Sequence, residues 1–484
     1  MEQTEEYSLT QNAGLVGIAK FVNILGLLAA SMILTRLLTR SEYGNYEQVW
    51  LVYNSFIPLI GIGLSSSIYY FSAREDRRAV YSSAIAGATI VGVISGVILA
   101  IFAPVIAHWF KADVLTSYIR IFALYAVLSA PSLMFESIFV TERRAGLLLG
   151  GNIILAVFFA SSILAAALFF HSLTIVFISI AVVGALKTLY LVSFLIRGRK
   201  FFFGKLSPIL KAQMLYALPI LVSGLAGTIS KQVDRYLVSF FFTPDKFAVY
   251  AIGSKELPMI GVITGAASAV LFPVFSELGS REGHGKFIEI WRNSVSKTGF
   301  FLLPLMVFLL FAATDFMSFF FGPKYAVSAG IFRIFLLLLP LRLAFYSQAL
   351  LSLGKQKFYM YSAVAEMFLS GLASYFFLRL YGLEGAAIGK VLVTYIEVVV
   401  LVGMLTSILG TNVVEMFPWK KLFKLVLISA VGLIPLLFIR VIFGNVYIRF
   451  VAESVVFAAV FAGVALATRS VRIINLKKMQ FVVM

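Results

Sequence analysis

The chain is 484 residues long, 61% hydrophobic and only 13% charged, with a formal net charge of +18 and no cysteine. Its mean hydropathy is +0.98. Soluble domains carry about 25% charged residues, so a water-soluble globule of this size is excluded and lipid must be the solvent for most side chains. Disulfide frameworks and thiol chemistry are excluded too, and His108, His171 and His284 stand alone in sequence with no partner at metal-ligand spacing.

The first residues, MEQTEE, lack the positive n-region of a secretory signal, so the first apolar segment is expected to be retained. In chain order, segments long enough to cross a bilayer run over 14–38, 46–71, 80–109, 114–140, 146–170 and 174–195. A second group covers 215–241, 247–275, 294–320, 330–353, 358–378 and 385–408, and two more cover 422–438 and 447–467. The pattern predicts an all-α integral membrane protein of about fourteen transmembrane helices, because a backbone in hydrocarbon must satisfy its own hydrogen bonds.

Basic residues alternate between loops. One side collects clusters such as Arg77 and Arg78, Arg143 and Arg144, and Lys420 and Lys421, while the other holds scattered residues such as Arg36, Lys111 and Lys246. The richer side, and both termini with it, is expected in the cytoplasm of a cell or inner membrane. The positive charge is therefore read as topology, with no nucleic acid as partner. The outward loops are a few residues long, for example Phe242-Thr-Pro-Asp-Lys, and leave no room for a soluble domain.

A basic, interrupted linker from Arg197 to Pro208 divides the chain. The expected organisation is a six-helix lobe over 1–200, a second over 205–410, and two further helices with a basic tail over 411–484. Ser41-Glu-Tyr-Gly-Asn-Tyr after the first span is matched by Asp245-Lys-Phe-Ala-Val-Tyr after the seventh. With six helices per half, such a repeat would be parallel, and two halves face to face would enclose a central cleft.

The informative residues are charges that a bilayer should exclude at about 2.5–3.5 kcal/mol each. Lys187, Lys231, Asp234 and Arg342 lie near mid-span; Lys20, Arg235, Lys255, Glu256, Glu366, Lys390 and Glu397 lie off centre. Lys231, Asp234 and Arg235 share one helix face at i, i+3 and i+4. There Asp234 either neutralises a buried base or leaves one cation over for an anion. Lys187 and Arg342 have no acid within a helical turn and are the leading candidates to line the cleft, with Lys20, Lys231, Arg235 and Lys255 completing a cationic set. Lys255, Lys390 and Glu397 read equally well as snorkelling or internally paired. Cations exceed acids, which suits an anionic headgroup, since Arg and Lys complement phosphate. Glu366, and Asp234 after it, are the candidates for H+ or Na+ coupling. No cofactor is expected, and no residue set suggests an enzyme.

Small-residue pairs at Gly92 and Gly96, Gly261 and Gly265, and Gly385 and Gly389 predict close helix approach. Prolines inside spans, among them Pro58, Pro131, Pro219 and Pro340, predict bends. The segment Gly385-Ala-Ala-Ile-Gly-Lys-Val imitates a phosphate loop but has one residue too few between its glycines, ends in Val, and lies in an apolar span. Energy is therefore expected from an ion gradient, the membrane potential or the substrate gradient.

The run Ile33-Leu-Thr-Arg-Leu-Leu-Thr-Arg-Ser-Glu-Tyr-Gly-Asn-Tyr, followed by Gly61-Ile-Gly-Leu-Ser-Ser-Ser, resembles the opening of polysaccharide and O-antigen flippases. These form part of the multidrug/oligosaccharidyl-lipid/polysaccharide (MOP) exporter superfamily. Leu351-Ser-Leu-Gly-Lys-Gln-Lys and Tyr381-Gly-Leu-Glu-Gly-Ala-Ala-Ile-Gly resemble the same family's eleventh and twelfth helices, and Asp234 stands where its seventh commonly carries an acid. The resemblance implies two six-helix lobes in a V, two additional helices, and alternating access. It implies as substrate an oligosaccharide on an isoprenoid phosphate or pyrophosphate, moved to the outer leaflet for cell-surface polysaccharide synthesis. Membrane lipids and other polysaccharide-assembly membrane proteins are the expected partners. An ion-coupled drug or metabolite antiporter of the same superfamily is the alternative, which excess intramembrane cations disfavour. A membrane glycosyltransferase or polymerase would be expected to need a substantial outer loop.

Overall fold

Helices carry the described backbone from end to end apart from one short terminal hairpin, as a hydrocarbon solvent demands. The structure, a computed structural model, describes residues 2–58, 61, 63–170, 172–201, 207–279, 284–468, 471–475 and 480–483. His171, much of the basic linker and the side chain of Lys20 lie outside the described residues.

The chain divides into two units, Met1–Ala248 and Val249–Met484. The first contains α1 (Glu2–Leu37), α2 (Arg40–Ile57), α3 (Gly63–Phe71), α4 (Arg77–Trp109), α5 (Leu115–Ser129), α6 (Phe135–Thr141), α7 (Ala145–Ala165), α8 (Leu173–Arg197) and α9 (Ser207–Phe241). Then α10 (Pro244–Gly253) leads into the second unit. There follow α11 (Pro258–Gly279), α12 (Gly285–Phe321), α13 (Ala329–Leu336), α14 (Tyr346–Ser352), α15 (Gln356–Leu409), α16 (Val413–Met416), α17 (Trp419–Ile442) and α18 (Val446–Ala467). The tail adds β1 (Val471–Asn475) and β2 (Gln480–Val483), paired antiparallel.

Among the described residues, nine helices are long and apolar enough to cross a membrane. The difference from the sequence expectation has several sources. The single 54-residue α15 holds two expected spans, folded back at Gly382, whose φ of 63° and ψ of −137° are non-helical. The tenth span is built from two short helices and the second joins α2 to α3, while α1 and α9 enter the count only through the described stretches Ile24–Leu37 and Pro208–Leu221, too short to cross by themselves.

The breaks recur at matching places. A 3-10 turn, Ala130–Met134, with proline at its second residue, separates α5 from α6. A 3-10 turn, Leu339–Leu343, again with proline second, separates α13 from α14. The eighth span is likewise interrupted between α10 and α11, whereas the second keeps π-helical backbone at Pro58 and Gly61 between α2 and α3. Both begin just after a threonine: Thr39 forms a capping box with Glu42, donating its backbone N–H to Oε2 at 2.8 Å, and Thr243 donates its hydroxyl to Asp245. Tyr43, Phe247 and Tyr250 are fully buried and Tyr46 nearly so. Tyr46 stacks on Phe177, and Tyr250 meets Phe335 edge-on. The short motif similarity thus marks equivalent helix starts in a repeated architecture.

The seventh span, α9, packs within the first unit through polar bonds. Gln213 accepts from Ser83 at 2.6 Å on α4, and Gln48 of α2 donates to Ser239 at 2.7 Å. The hydroxyls of Ser55 and Tyr236 are bonded at 2.7 Å. The division of the chain therefore falls after this span, whereas the basic linker falls before it.

Of the three small-residue pairs, two are packing devices. A Cβ on Gly96 would lie 2.7 Å from the Val127 side chain and 2.9 Å from the Ala123 carbonyl, so α4 and α5 meet backbone to backbone. One on Gly389 would lie 2.5 Å from the Ser374 nitrogen, where α15 folds on itself. Gly261 and Gly265 correct the sequence expectation, since nothing among the described residues lies within 4 Å of a Cβ at either. Spacing alone fixes a face of a helix, not what covers it.

Candidate intramembrane charge sites

The interruptions are where the intramembrane charges gather. In the first unit, Lys187 on α8 holds its Nζ 5.2 Å from the ring centroid of Phe135, the first residue after the Ala130–Met134 turn. Glu136, the next residue, lies within electrostatic range of it. At the same break the Ser65 hydroxyl donates to the Leu133 carbonyl at 3.1 Å, replacing a bond that a continuous helix would have made.

In the second unit, Arg342 lies inside the equivalent turn. Its guanidinium reaches Glu256 at 3.2 Å, in the interruption between α10 and α11. Both side chains stay about half exposed, at 50% and 56%. An ion pair that is half open at a helix break inside a membrane-spanning region needs water or a polar ligand around it, because hydrocarbon would charge several kcal/mol for it. Lys255, next to Glu256, is partly buried. Around the break, Gln348 donates to Ser268 at 3.1 Å, and the Tyr395 hydroxyl donates to the Leu337 carbonyl at 2.6 Å. Discontinuous helices with freed carbonyls and charged side chains are the usual construction of transporter sites.

On α9, Asp234 is 3% exposed, Arg235 partly buried and Lys231 exposed. The three therefore share a helix face without sharing an environment. Glu366 and Lys390 form a second intramembrane pair, within the folded α15, with Oε1 to Nζ at 2.5 Å and 9% and 12% exposure. The Ser370 hydroxyl donates to the same Oε1 at 3.1 Å, and Glu397 lies within electrostatic range of both partners. Of the charges read from the sequence, the structure thus joins Arg342 to Glu256, Glu366 to Lys390, and Lys187 to the Phe135–Glu136 step. Helical spacing could not show the acid opposite Arg342, because it arrives from another span.

One cluster was missed by sequence reasoning. Asp315 of α12, 3% exposed, accepts from Arg440 of α17 at 3.2 Å and from Arg449 of α18. Arg440 also reaches Glu453 of α18 at 2.9 Å, with its guanidinium 3.8 Å from the Phe311 centroid. Arg440 and Arg449 read as loop residues, yet the available signal was an acid inside each of two apolar spans, Asp315 and Glu453.

Helix breaks and intramembrane ion pairs mark a polytopic membrane architecture, and the fold is similar to that of MOP-superfamily proteins. The structure of "Lipid II flippase MurJ, inward closed conformation" superposes with a TM-score of 0.72 at 16% identity, covering 94% of this chain and 99% of that one. An inward-facing multidrug resistance MATE family transporter of the MOP superfamily matches with a TM-score of 0.62 at 17% identity, over 81% and 96% of the two chains. A MOP superfamily transporter from Pyrococcus furiosus, described by the reverse polarity of its binding pocket, gives 0.57 at 16% identity over 83% and 95%. No match was found among curated protein sequences. The family model for polysaccharide biosynthesis protein matches residues 33–330, and the chain belongs to that family.

Proposed function

We propose that this protein flips an isoprenoid phosphate- or pyrophosphate-linked oligosaccharide across the cytoplasmic membrane by alternating access, for cell-surface polysaccharide synthesis. The observation that carries the reading is the half-exposed Arg342–Glu256 pair at a double helix interruption, in a member of the polysaccharide biosynthesis family. Arg342, Lys187 and Lys231 engage the anionic headgroup, supported by Arg235, Lys255 and Lys20, and the termini face the cytoplasm. Glu366, held by Lys390, and Asp234 are the groups through which an H+ or Na+ gradient would act. Partners are the lipid-linked glycan, bilayer lipids and other polysaccharide-assembly membrane proteins.

The test is translocation of a fluorescent isoprenoid-pyrophosphate oligosaccharide by purified protein in sealed liposomes. Movement above empty vesicles is expected, with at least a tenfold loss in Arg342→Ala and Lys187→Ala variants, the scale of one charge-assisted hydrogen bond. Full transport by these variants and by Lys231→Ala would refute the cationic site. Rates indifferent to pH, sodium and voltage would remove the coupling role of Glu366 and Asp234. The likeness to MATE structures supports a second reading, an ion-coupled drug or metabolite antiporter. Organic-cation efflux without glycolipid movement would select it.

A further inference from the structure

At one end of the first unit, the ends of four helices surround a cavity of about 480 Å³. It lies between the turn after α3, the start of α4, Glu142 just past α6, and the turn after α8. Three arginines reach it against local preference. Arg77 and Arg78 occupy the first turn of the 33-residue α4, the positive end of its dipole, with Asp76 as the capping acid beside them. Arg199 closes α8 with a φ of 51°, a left-handed conformation that costs a side-chain-bearing residue about 1–2 kcal/mol and that glycine adopts freely. Placements that break a local rule are expected where a side chain has work to do.

The nearby carboxylates are largely occupied. Glu142 accepts from the Tyr81 hydroxyl at 2.7 Å and pairs with Lys200. Asp76 caps α4, accepting the Arg78 backbone N–H at 3.1 Å. Among the described residues the guanidinium groups of Arg78 and Arg199 make no hydrogen bond or ion pair, and Arg77 reaches only the Ser72 carbonyl, at 3.5 Å. The lining sets Arg77, Arg78, Arg199 and Lys200 against Glu75, Asp76 and Glu142. The single surplus positive charge matches one phosphodiester better than a polyphosphate. Arginine forks suit phosphate oxygens, and the volume lies within the range of about 300–1,000 Å³ found for ligand sites. Ile196 and Tyr70, each two residues before a lining residue (Gly198 and Ser72), remain 53% and 41% exposed.

We infer that this cavity is a phosphate site, filled by the phosphodiester headgroup of an anionic bilayer lipid or by a soluble phosphate, and distinct from the intramembrane charges. The experiment is native mass spectrometry of the full chain released from nanodiscs containing phosphatidylglycerol or phosphatidylcholine. Wild-type protein should retain phosphatidylglycerol selectively. The Arg78→Gln/Arg199→Gln pair should bind it about thirtyfold more weakly, at roughly fivefold per interfacial arginine. Arg78→Lys/Arg199→Lys should keep most of the binding, which separates lost charge from lost fold. Retention resistant to added inorganic phosphate assigns the site to the lipid; displacement by millimolar phosphate assigns it to the soluble anion. Equal retention of both lipids, or unchanged binding by the glutamine pair, overturns the inference.

Discussion

At the scale of single residues, the buried carboxylates of Glu366 and Asp315 are each held by cations. Lys390→Met removes the cation from a Glu366 carboxylate that is 9% exposed. The stranded carboxylate should cost about 3–5 kcal/mol, because its desolvation is no longer offset. Adding Glu366→Leu should recover most of that loss, since two apolar residues of similar volume replace a buried pair at little cost. Thermal melting of the purified single and double variants checks this, and a double variant no more stable than Lys390→Met would contradict it. The sequence revealed that these charges lay in apolar spans. It did not reveal their partners, because Arg342 and Glu256 are brought together by two helix breaks far apart in the chain. Asp315 and Glu453 passed unnoticed for the same reason: their cations sit near helix ends and read as interfacial until the fold brings α17 and α18 against α12.

Elements were legible wherever hydropathy is continuous and less so where a helix is interrupted. A continuous apolar run identifies α4 or α12, but a proline such as Pro131 or Pro340 predicts only a bend, whereas both lie in a 3-10 turn that splits a span. The fold-back at Gly382 was legible as a gap between two apolar runs, and its tightness follows from Gly385 and Gly389. Gly389→Leu should therefore destabilise the protein by about 1–3 kcal/mol or more, since backbone atoms of Ser374 cannot move aside as a side chain would. Gly261→Leu should leave stability unchanged or slightly raised, because nothing among the described residues lies within 4 Å of its Cβ and leucine is the better helix former. Parallel melting curves decide between packing and propensity. Equal losses at the two sites would mean that Gly261 is covered after all.

For the whole molecule, the repeat explains why charges gather beside two 3-10 interruptions: each half starts its second span just after a threonine bonded to an acid two or three residues on, and carries a proline-bearing 3-10 turn two spans later. Sequence similarity preserved only the helix start, because a threonine–acid contact is a local constraint, while the 3-10 interruptions can be made by many sequences. The grouping of α9 with the first unit was not legible, since it rests on buried Gln48 and Gln213, which hydropathy cannot distinguish from other polar residues in a span. The natural absence of cysteine makes alternating access directly testable, since any introduced thiol is the only one in the chain. Gly227 on α9 and Gly261 on α11 are exposed, with nothing among the described residues within 4 Å of a Cβ. Single Gly227→Cys and Gly261→Cys proteins in oriented vesicles would be treated with a membrane-impermeant thiol reagent from each side. A carrier that exposes its interior to one face at a time requires reactivity from the two sides to change in opposite directions when the lipid-linked substrate is added. Simultaneous reaction from both sides, unaffected by substrate, would describe a static pore. Absence of reaction from either side would place both positions against lipid and leave the water-accessible path to be sought around Arg342 alone.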